Sequence, residues 1–190
     1  KSAGNGFGSL CPGGTGCTNC NAANALGTTC QNASMDPTNT LPYNVVVGAL
    51  NASGVRSSYS TAGSALWVSA PGGEFGYNAS VRPGLPAVAY LPAMVTTDQT
   101  GCAAGYAVTG SQTSRFNQGL VAGNASCSYA NTFNGTSSAA PSTTGSIALL
   151  LEANPALGWR DVKHILASTA RRVDPSRAAV TVSLGGGTYT

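Results

Sequence analysis

One short segment of the chain combines a hydroxyl group with the start of a helix. It reads Asn134-Gly-Thr-Ser-Ser-Ala-Ala-Pro141 and runs into small and aliphatic residues up to Leu151. Proline is tolerated in the first turn of a helix, so the sequence predicts a helix over 137–151 with Ser137 at its mouth. Free backbone N–H groups and the positive end of the helix dipole point outward there. They would stabilise an oxyanion formed when the Ser137 hydroxyl attacks a carbonyl.

The same residues also fit a simpler interpretation. Serine and threonine are common N-cap residues in helices that carry no chemistry, and by the residue pattern alone this alternative for Ser137 is the stronger one. A serine nucleophile further needs a base that accepts its proton and an acid that orients the base. The one histidine of the chain, His164, lies in the later run 158–170, whose apolar residues repeat at helical spacing. We therefore do not expect His164 to be the base.

The elements that would position Ser137 are typical of an α/β protein. Continuous apolar runs at 44–51 and 64–71 predict strands buried on both faces, and the two helices follow later in the chain. This order indicates a parallel sheet, with the nearly uncharged helix 137–151 in the interior. Two long segments, 6–43 and 72–131, read as irregular loops, and residues 1–5 read as the end of a strand.

Composition and charge exclude several classes of function. The chain is 42% hydrophobic and only 8% charged, which fits a packed fold and argues against disorder driven by charge. Its net charge of +3 is small and its basic residues form no stripe, so we expect no nucleic-acid partner. No run is apolar and long enough to span a membrane, which takes about 20 residues.

Six cysteines indicate disulfides and hence a secreted or periplasmic protein. The spacing of Cys17 and Cys20 would also fit zinc or a redox motif, but the even number of cysteines and the surrounding loop favour disulfides. We predict that Cys102 pairs with Cys127, just before the Ser137 segment. The remaining four pair among themselves in one of three ways that the sequence leaves open: Cys11, Cys17, Cys20 and Cys30.

Three motifs in order resemble the subtilisin-like serine proteases. Gly135-Thr136-Ser137-Ser138-Ala139-Ala140-Pro141 matches the nucleophile signature G-T-S-x-A-x-P, and Ser2-Ala3-Gly4-Asn5-Gly6 looks like the strand that ends in the oxyanion-hole asparagine. Residues 45–73 are similar to the family's segment from the next strand through the Y-S motif to the A-P-G turn. Residues 147–166 resemble kexin and furin. The resemblance implies a subtilisin-like parallel sheet with a buried central helix.

The resemblance also implies roles for individual residues in a serine endopeptidase that acts on protein or peptide substrates without a cofactor. Ser137 would be the nucleophile. Asn5 would donate its side-chain N–H to the oxyanion, together with the Ser137 backbone N–H, although a turn residue between two glycines is the simpler interpretation of Asn5. Ser2, Ala3 and Gly4 would form one wall of the pocket for the residue before the scissile bond.

Two features of the family's substrate pocket are less clear in this sequence. Asp36 would correspond to an acidic pocket residue of kexin and furin, with a turn aspartate before Pro37 as an equal alternative. Thr61 stands where the family's Y-S-E pattern has an acidic calcium ligand, so a structural calcium ion is not indicated by this chain. We predict no metal site.

The family's catalytic Asp and His precede the A-G-N strand, so we expect them upstream of Lys1. On this interpretation residues 1–174 are the C-terminal part of the peptidase domain and 175–190 lead out of it. The partner would be the N-terminal part, from the same precursor or from a separate chain. The alternative is a processed or non-catalytic half-domain with a structural role. An α/β-hydrolase esterase is disfavoured because the G-x-S-x-G elbow is absent.

Overall fold

The computed structural model describes residues 1–10, 18–25, 28–76, 91–110, 114–174, 182–184 and 187–189. Within these ranges the strands are β1 (Ser9–Leu10), β2 (Thr18–Asn19), β3 (Val47–Leu50), β4 (Val68–Pro71), β5 (Met94–Thr97), β6 (Tyr129–Phe133), β7 (Val182–Leu184) and β8 (Gly187–Tyr189). The α-helices are α1 (Asn21–Ala25), α2 (Thr136–Ala153) and α3 (Trp159–Thr169).

The two apolar runs form the parallel pair that the sequence predicted. β3 and β4 align in register from Val47 opposite Val68 to Leu50 opposite Pro71. Residues 1–3 lie along the other side of β3, because Ser2 forms a parallel bridge with Val47. Both strands are shorter than the runs that predicted them. The turn that starts at Asn51 ends β3, and the glycines after Pro71 end β4. The α/β class is confirmed.

Helix α2 packs on this parallel pair through small residues. Ala139 is fully buried and joins Val47, Ala49, Tyr59 and Ala70 in one apolar cluster. Side chains this small let the helix backbone approach the strands closely, and close packing in such a cluster fixes the helix relative to the sheet. The N-terminal end of α2, which carries Ser137, is therefore held against the strands.

The prediction of a buried central helix holds on one side of α2 only. Its buried residues lie towards the N-terminal end and face the parallel pair: Thr136, Ser138, Ala139 and Thr143. Leu149, by contrast, is 67% exposed. β3 and β4 contact the helix from one direction. Among the described residues, nothing covers the opposite side of α2, which carries Leu149.

Helix α3 docks beside the start of β4. Val162 is its buried residue. Trp67, which directly precedes β4, donates its indole N–H to the Lys163 carbonyl at 2.8 Å. The Lys163 ammonium lies 4.3 Å from the Trp67 ring centroid and donates to the carbonyls of Pro42 and Asn44. These contacts place α3 at the N-terminal end of β4.

The two predicted loops contain more regular structure than the sequence suggested. β5, within 72–131, pairs antiparallel with β6, which begins inside that segment and ends at Phe133, and within 6–43, β1 pairs with β2. The prediction of purely irregular loops was wrong because these strands are short or rich in Thr, Asn and Ala. They therefore lack the apolar runs by which β3 and β4 were recognised.

Two disulfides stabilise these regions. Cys102 and Cys127 form the predicted pair, and Cys20 is bonded to Cys30. Cys20 is consequently not part of a zinc site with Cys17. Cys11 and Cys17 lie outside the described residues.

None of the helices in the described part of the chain is both long enough and apolar enough to cross a bilayer.

Candidate catalytic site

Ser137 is the second residue of α2 and its side chain is exposed. Strand β6 ends at Phe133 and delivers the chain to Asn134 and Gly135, which caps the helix. Within the part of the chain that the structure describes, no hydrogen bond engages the Ser137 hydroxyl or its backbone N–H. Both groups are thus available to a reacting carbonyl.

Asn5 lies beside the start of α2. Its side-chain oxygen Oδ1 accepts hydrogen bonds from the backbone N–H and the hydroxyl of Thr136, each at 2.9 Å. The Thr136 hydroxyl oxygen also accepts the Gly4 N–H at 3.1 Å. Because Oδ1 is held in this way, the amide nitrogen Nδ2 takes the opposite direction, and it has no partner among the described residues. The orientation of the Asn5 amide is therefore set by its neighbours.

Gly135 provides the space between the two free N–H donors. A Cβ atom built on Gly135 would lie 3.1 Å from Asn5 Nδ2 and 3.5 Å from the Ser137 backbone nitrogen. The position is empty because residue 135 has no side chain, and its φ of +103° disfavours any other residue. An oxygen atom that accepts from both nitrogens, as an oxyanion site requires, has to lie between them and clear of the Gly135 Cα, and a Cβ atom at residue 135 would narrow that space.

Two further contacts hold the loop that precedes Ser137. The Gly135 N–H donates to the Tyr59 hydroxyl at 2.8 Å, and the Asn134 side-chain amide donates to the Glu74 carbonyl at 3.0 Å. The Tyr59 hydroxyl is 2.8 Å from the carbonyl oxygens of Gly72 and Gly73, to which it donates. Burial raises the pKa of the Tyr59 phenol, so the group stays neutral and can both donate and accept.

Glu74 is a fully buried carboxylate next to this loop. It accepts the backbone N–H of Ser58 at 2.6 Å, the Ser58 hydroxyl at 2.7 Å and the Asn51 amide at 3.3 Å. Hydrogen bonds of this number are what a buried carboxylate requires. They fix the segment that carries Tyr59.

Sequence reasoning missed the supporting roles of four residues: Tyr59, Glu74, Thr136 and Thr61, whose hydroxyl oxygen accepts the Gly6 N–H at 2.8 Å. Tyr59, Thr61 and Thr136 lie inside segments that resembled the family, whereas Glu74 lies just outside them. The Y-S motif and the G-T-S motif were thus the signals that could have pointed to Tyr59, Thr61 and Thr136. The sequence offered no comparable signal for Glu74.

The predicted pocket wall, Ser2 to Gly4, is used largely for internal contacts. The Ala3 side chain is buried against Ala33 and Val46, and its N–H donates to the Val47 carbonyl at 3.0 Å. Gly4 donates to Thr136, as described above. This segment thus aligns Asn5 with Thr136 by backbone pairing, and its contribution to a substrate pocket stays a prediction.

Asp36 makes its contacts away from the Ser137 loop. Its carboxylate accepts the Lys1 ammonium at 2.5 Å and the N–H and hydroxyl of Thr38 at 2.9 and 2.6 Å. The Lys1 hydrogen bond, followed by those from Thr38, lowers the pKa of Asp36 to about 2. This is the turn-capping geometry of the simpler alternative, and a role for Asp36 in substrate binding stays a prediction.

The structure does not bring His164 to Ser137. Its side chain is exposed on α3, whose neighbouring Lys163 docks on Trp67. Trp67 and Gly72 are the residues that flank β4, separated by roughly 16 Å of extended chain at about 3.3 Å per residue. The Ser137 loop contacts the Gly72 end through Tyr59. His164 therefore belongs to the opposite end of β4.

The described residues thus bring the Asn5 amide next to the start of α2, where the Ser137 hydroxyl and N–H are free of partners among them. Among them, no group of three or more His, Cys, Asp or Glu side chains is arranged to hold a metal ion.

Comparisons with known proteins identify the family of the chain. The sequence matches the subtilase family over residues 2–187. It is 43% identical to the Aeromonas extracellular serine protease of Aeromonas sobria over 183 residues, which is 96% of this chain and 27% of that protein. The crystal structure of the serine protease of Aeromonas sobria superposes with a TM-score of 0.75 at 42% identity, over 97% of this chain and 29% of that one. Human proprotein convertase subtilisin/kexin type 7 is 54% identical over 44 residues, 23% of this chain and 6% of that protein. The chain spans about a quarter of the length of its Aeromonas relative.

Gly135→Ala should slow the reaction of Ser137 with a fluorophosphonate at least about 10²-fold, the loss typical of removing one oxyanion donor. The new methyl group would occupy the space between the two donors. Labelling rates are to be measured in a protein that combines this chain with a catalytic base. Gly101→Ala is the matched control, since Gly101 has a φ of +105° and no atom within 4 Å of its built Cβ. Equal labelling rates for Gly135→Ala and Gly101→Ala would contradict the prediction that a methyl group at residue 135 obstructs the space between the two donors.

Proposed function

Since the chain belongs to the subtilase family, we propose that it supplies the nucleophile and the oxyanion site of a secreted serine endopeptidase. The observation that carries the proposal is the Asn5 amide. Its oxygen is held by Thr136, and its nitrogen Nδ2 lies 3.1 Å from a Cβ built on Gly135, to which the Ser137 nitrogen is 3.5 Å away. The alternative, that Asn5 is only a turn residue, does not explain why its amide is fixed with an N–H group that has no partner among the described residues, beside a serine at a helix N-terminus.

The reaction is acyl transfer from a peptide bond. Ser137 Oγ attacks the carbonyl carbon and its proton passes to a base, while the carbonyl oxygen becomes an anion that Asn5 Nδ2 and the Ser137 N–H stabilise. Collapse of this intermediate breaks the C–N bond, and the protonated base gives its proton to the leaving amine. Water then attacks the acyl-enzyme by the same steps and releases the acid.

The base and its orienting carboxylate are proposed to come from a segment outside these 190 residues. Two observations support this. The chain's one histidine lies at the far end of β4 from Ser137, and the family resemblance puts the catalytic Asp and His before the A-G-N strand. The segment belongs either to the same precursor or to a separate chain. The alternative function is a non-catalytic half-domain, which the lack of a base within these residues favours for the chain by itself.

We also propose that the protein works outside the cytoplasm. The disulfides Cys20–Cys30 and Cys102–Cys127 are typical of oxidising compartments. The Aeromonas relative is described as extracellular. Ser2, Ala3 and Gly4 are proposed to form one wall of the pocket for the residue before the scissile bond. Asp36 would contribute to substrate binding only where a basic side chain of the substrate displaces Lys1 from the Asp36 carboxylate.

Ser137→Ala should abolish both fluorophosphonate labelling and proteolysis in the complete enzyme, because no other residue supplies the attacking oxygen. Mass spectrometry of the labelled peptide identifies the modified residue. Ser138→Ala is the neighbouring control, and it should keep the label. A label that persists in Ser137→Ala would end the assignment and favour the non-catalytic alternative.

Asn5→Ala should lower kcat by roughly 10²–10³ with little change in KM, as loss of an oxyanion donor does in a subtilisin. The interaction strengthens only when the carbonyl oxygen gains charge, so the bound substrate loses little. Steady-state kinetics on a peptide amide measure both constants. An effect confined to KM would assign Asn5 to substrate binding instead.

His164→Gln should leave kcat of the complete enzyme within about threefold, since a base must lie within about 2.6–3.2 Å of the hydroxyl it deprotonates. Residues 1–190 purified alone should show no peptidase activity until the segment with Asp and His is added. Peptide hydrolysis by the isolated chain that disappears on His164→Gln would show that this histidine is the base.

A further inference from the structure

The hydroxyl groups of one short segment, Tyr59-Ser60-Thr61, contact both halves of the oxyanion site. We propose that Tyr59 and Thr61 are positioning residues. They hold the Ser137 loop (residues 134–136) and the Asn5 loop (residues 4–7) in fixed positions relative to each other, and thereby set the rate of the acyl-transfer step. This inference rests on the proposed function and names residues that the reaction itself does not touch.

Tyr59 acts on the Ser137 side. Its hydroxyl is the acceptor for the Gly135 N–H, and it donates to the carbonyls of Gly72 and Gly73. The Gly135 carbonyl in turn accepts the N–H of Ser138 at 2.9 Å in the first turn of α2. The peptide unit in front of Gly135 is therefore tied to the end of β4. Its orientation determines where the next residues, and with them the Ser137 N–H, are placed.

Thr61 acts on the Asn5 side, with one contact before and one after that residue. Its N–H donates to the Gly4 carbonyl at 3.0 Å, and its hydroxyl oxygen accepts the Gly6 N–H at 2.8 Å. Thr61 is only 2% exposed, so both bonds are shielded from water. The backbone on either side of Asn5 is consequently fixed, even though the Asn5 side chain is exposed.

The residues between and beside them connect this segment to the sheet. The Ser60 hydroxyl accepts the Ala49 N–H of β3 at 2.9 Å, and Glu74 holds Ser58 from the other side. The Tyr59 carbonyl accepts the Phe7 N–H at 3.1 Å, which adds a third tie to the Asn5 loop. Both loops are thus held in place by contacts to the same rigid element, the parallel pair of β3 and β4.

The chemistry explains why this should affect kcat. Hydrogen-bond donors contribute to catalysis when they are fixed before charge develops on the substrate oxygen. A displacement of about 1 Å costs up to about 10²-fold in rate. Loss of one positioning hydroxyl leaves both donors present but less well fixed, so the expected effect is smaller than that of Asn5→Ala.

The test compares Tyr59→Phe and Thr61→Val, which remove one hydroxyl each and keep the side-chain volume. Both should lower kcat about 10- to 100-fold and leave KM within about twofold. Thr61→Ser keeps the hydroxyl and should retain wild-type kcat. Tyr43→Phe and Thr143→Val are the matched controls. Tyr43 is 57% exposed, and the hydroxyl of the buried Thr143 donates to the Ala139 carbonyl within α2 and to no other group among the described residues. Rates are expressed per fluorophosphonate-reactive Ser137, so unfolded protein does not enter them.

A peptide aldehyde provides the second readout, because its adduct with Ser137 places an oxygen in the oxyanion site. Its inhibition constant should rise in Tyr59→Phe and Thr61→Val by the same factor by which kcat falls, while a product peptide binds as before.

A rise in KM at constant kcat, or unchanged kcat, would overturn the inference. Failure of both variants to fold would do so as well, since the hydroxyls would then serve stability alone. If Ser137→Ala still labels, the proposed function fails and takes this inference with it. If Ser137→Ala is unlabelled and the variants keep wild-type kcat, the inference fails alone.

Discussion

The hydrogen bonds from Thr136 to the Asn5 side chain join two parts of the chain that are 131 residues apart in sequence. An amide has a donor and an acceptor end, and only one orientation presents the N–H group to a substrate oxygen. Because Thr136 offers two donors to the amide oxygen, the opposite orientation would place the NH2 group against the Thr136 N–H. The orientation of the Asn5 amide is thus decided by Thr136, the residue before Ser137.

These bonds alone are too weak to order the loops that they connect. A hydrogen bond contributes about 1 kcal/mol net, whereas fixing the backbone of one residue costs about 1–2 kcal/mol. The loops are held because several other bonds act on the same residues. Thr61 pairs with Gly4 and Gly6, and Tyr59 pairs with Gly135. The small side chains of the apolar cluster around Ala139 then keep α2 at a fixed distance from the strands that carry these bonds.

The sequence predicted the elements with strong local patterns and missed those determined by distant contacts. Ser137 and Asn5 were singled out as candidates because the motifs around them are specific. β3, β4, α2 and α3 were recognised because their apolar residues are continuous or periodic. β6 was missed because Tyr-Ala-Asn-Thr-Phe has no apolar run and needs β5 as its partner. The Y-S motif marked Tyr59 and Thr61 but not their contacts, since a hydroxyl group acquires its role from backbone groups that only the folded chain brings to it. The helix α2 reads as an interior helix, yet the described residues cover it on one side only.

The site also depends little on charge. Asn5, Thr61 and Thr136 do not titrate, and of the side chains that contact Gly135 or Asn5 only Tyr59 carries an ionisable group. Burial raises the pKa of Tyr59 above its ordinary value near 10, so its hydroxyl keeps its proton across the neutral range. On the proposed function, the oxyanion would be stabilised by fixed dipoles, which salt screens little at such short range and which pH does not alter. The pH dependence of the proposed reaction would then arise mainly from the base that takes the Ser137 proton.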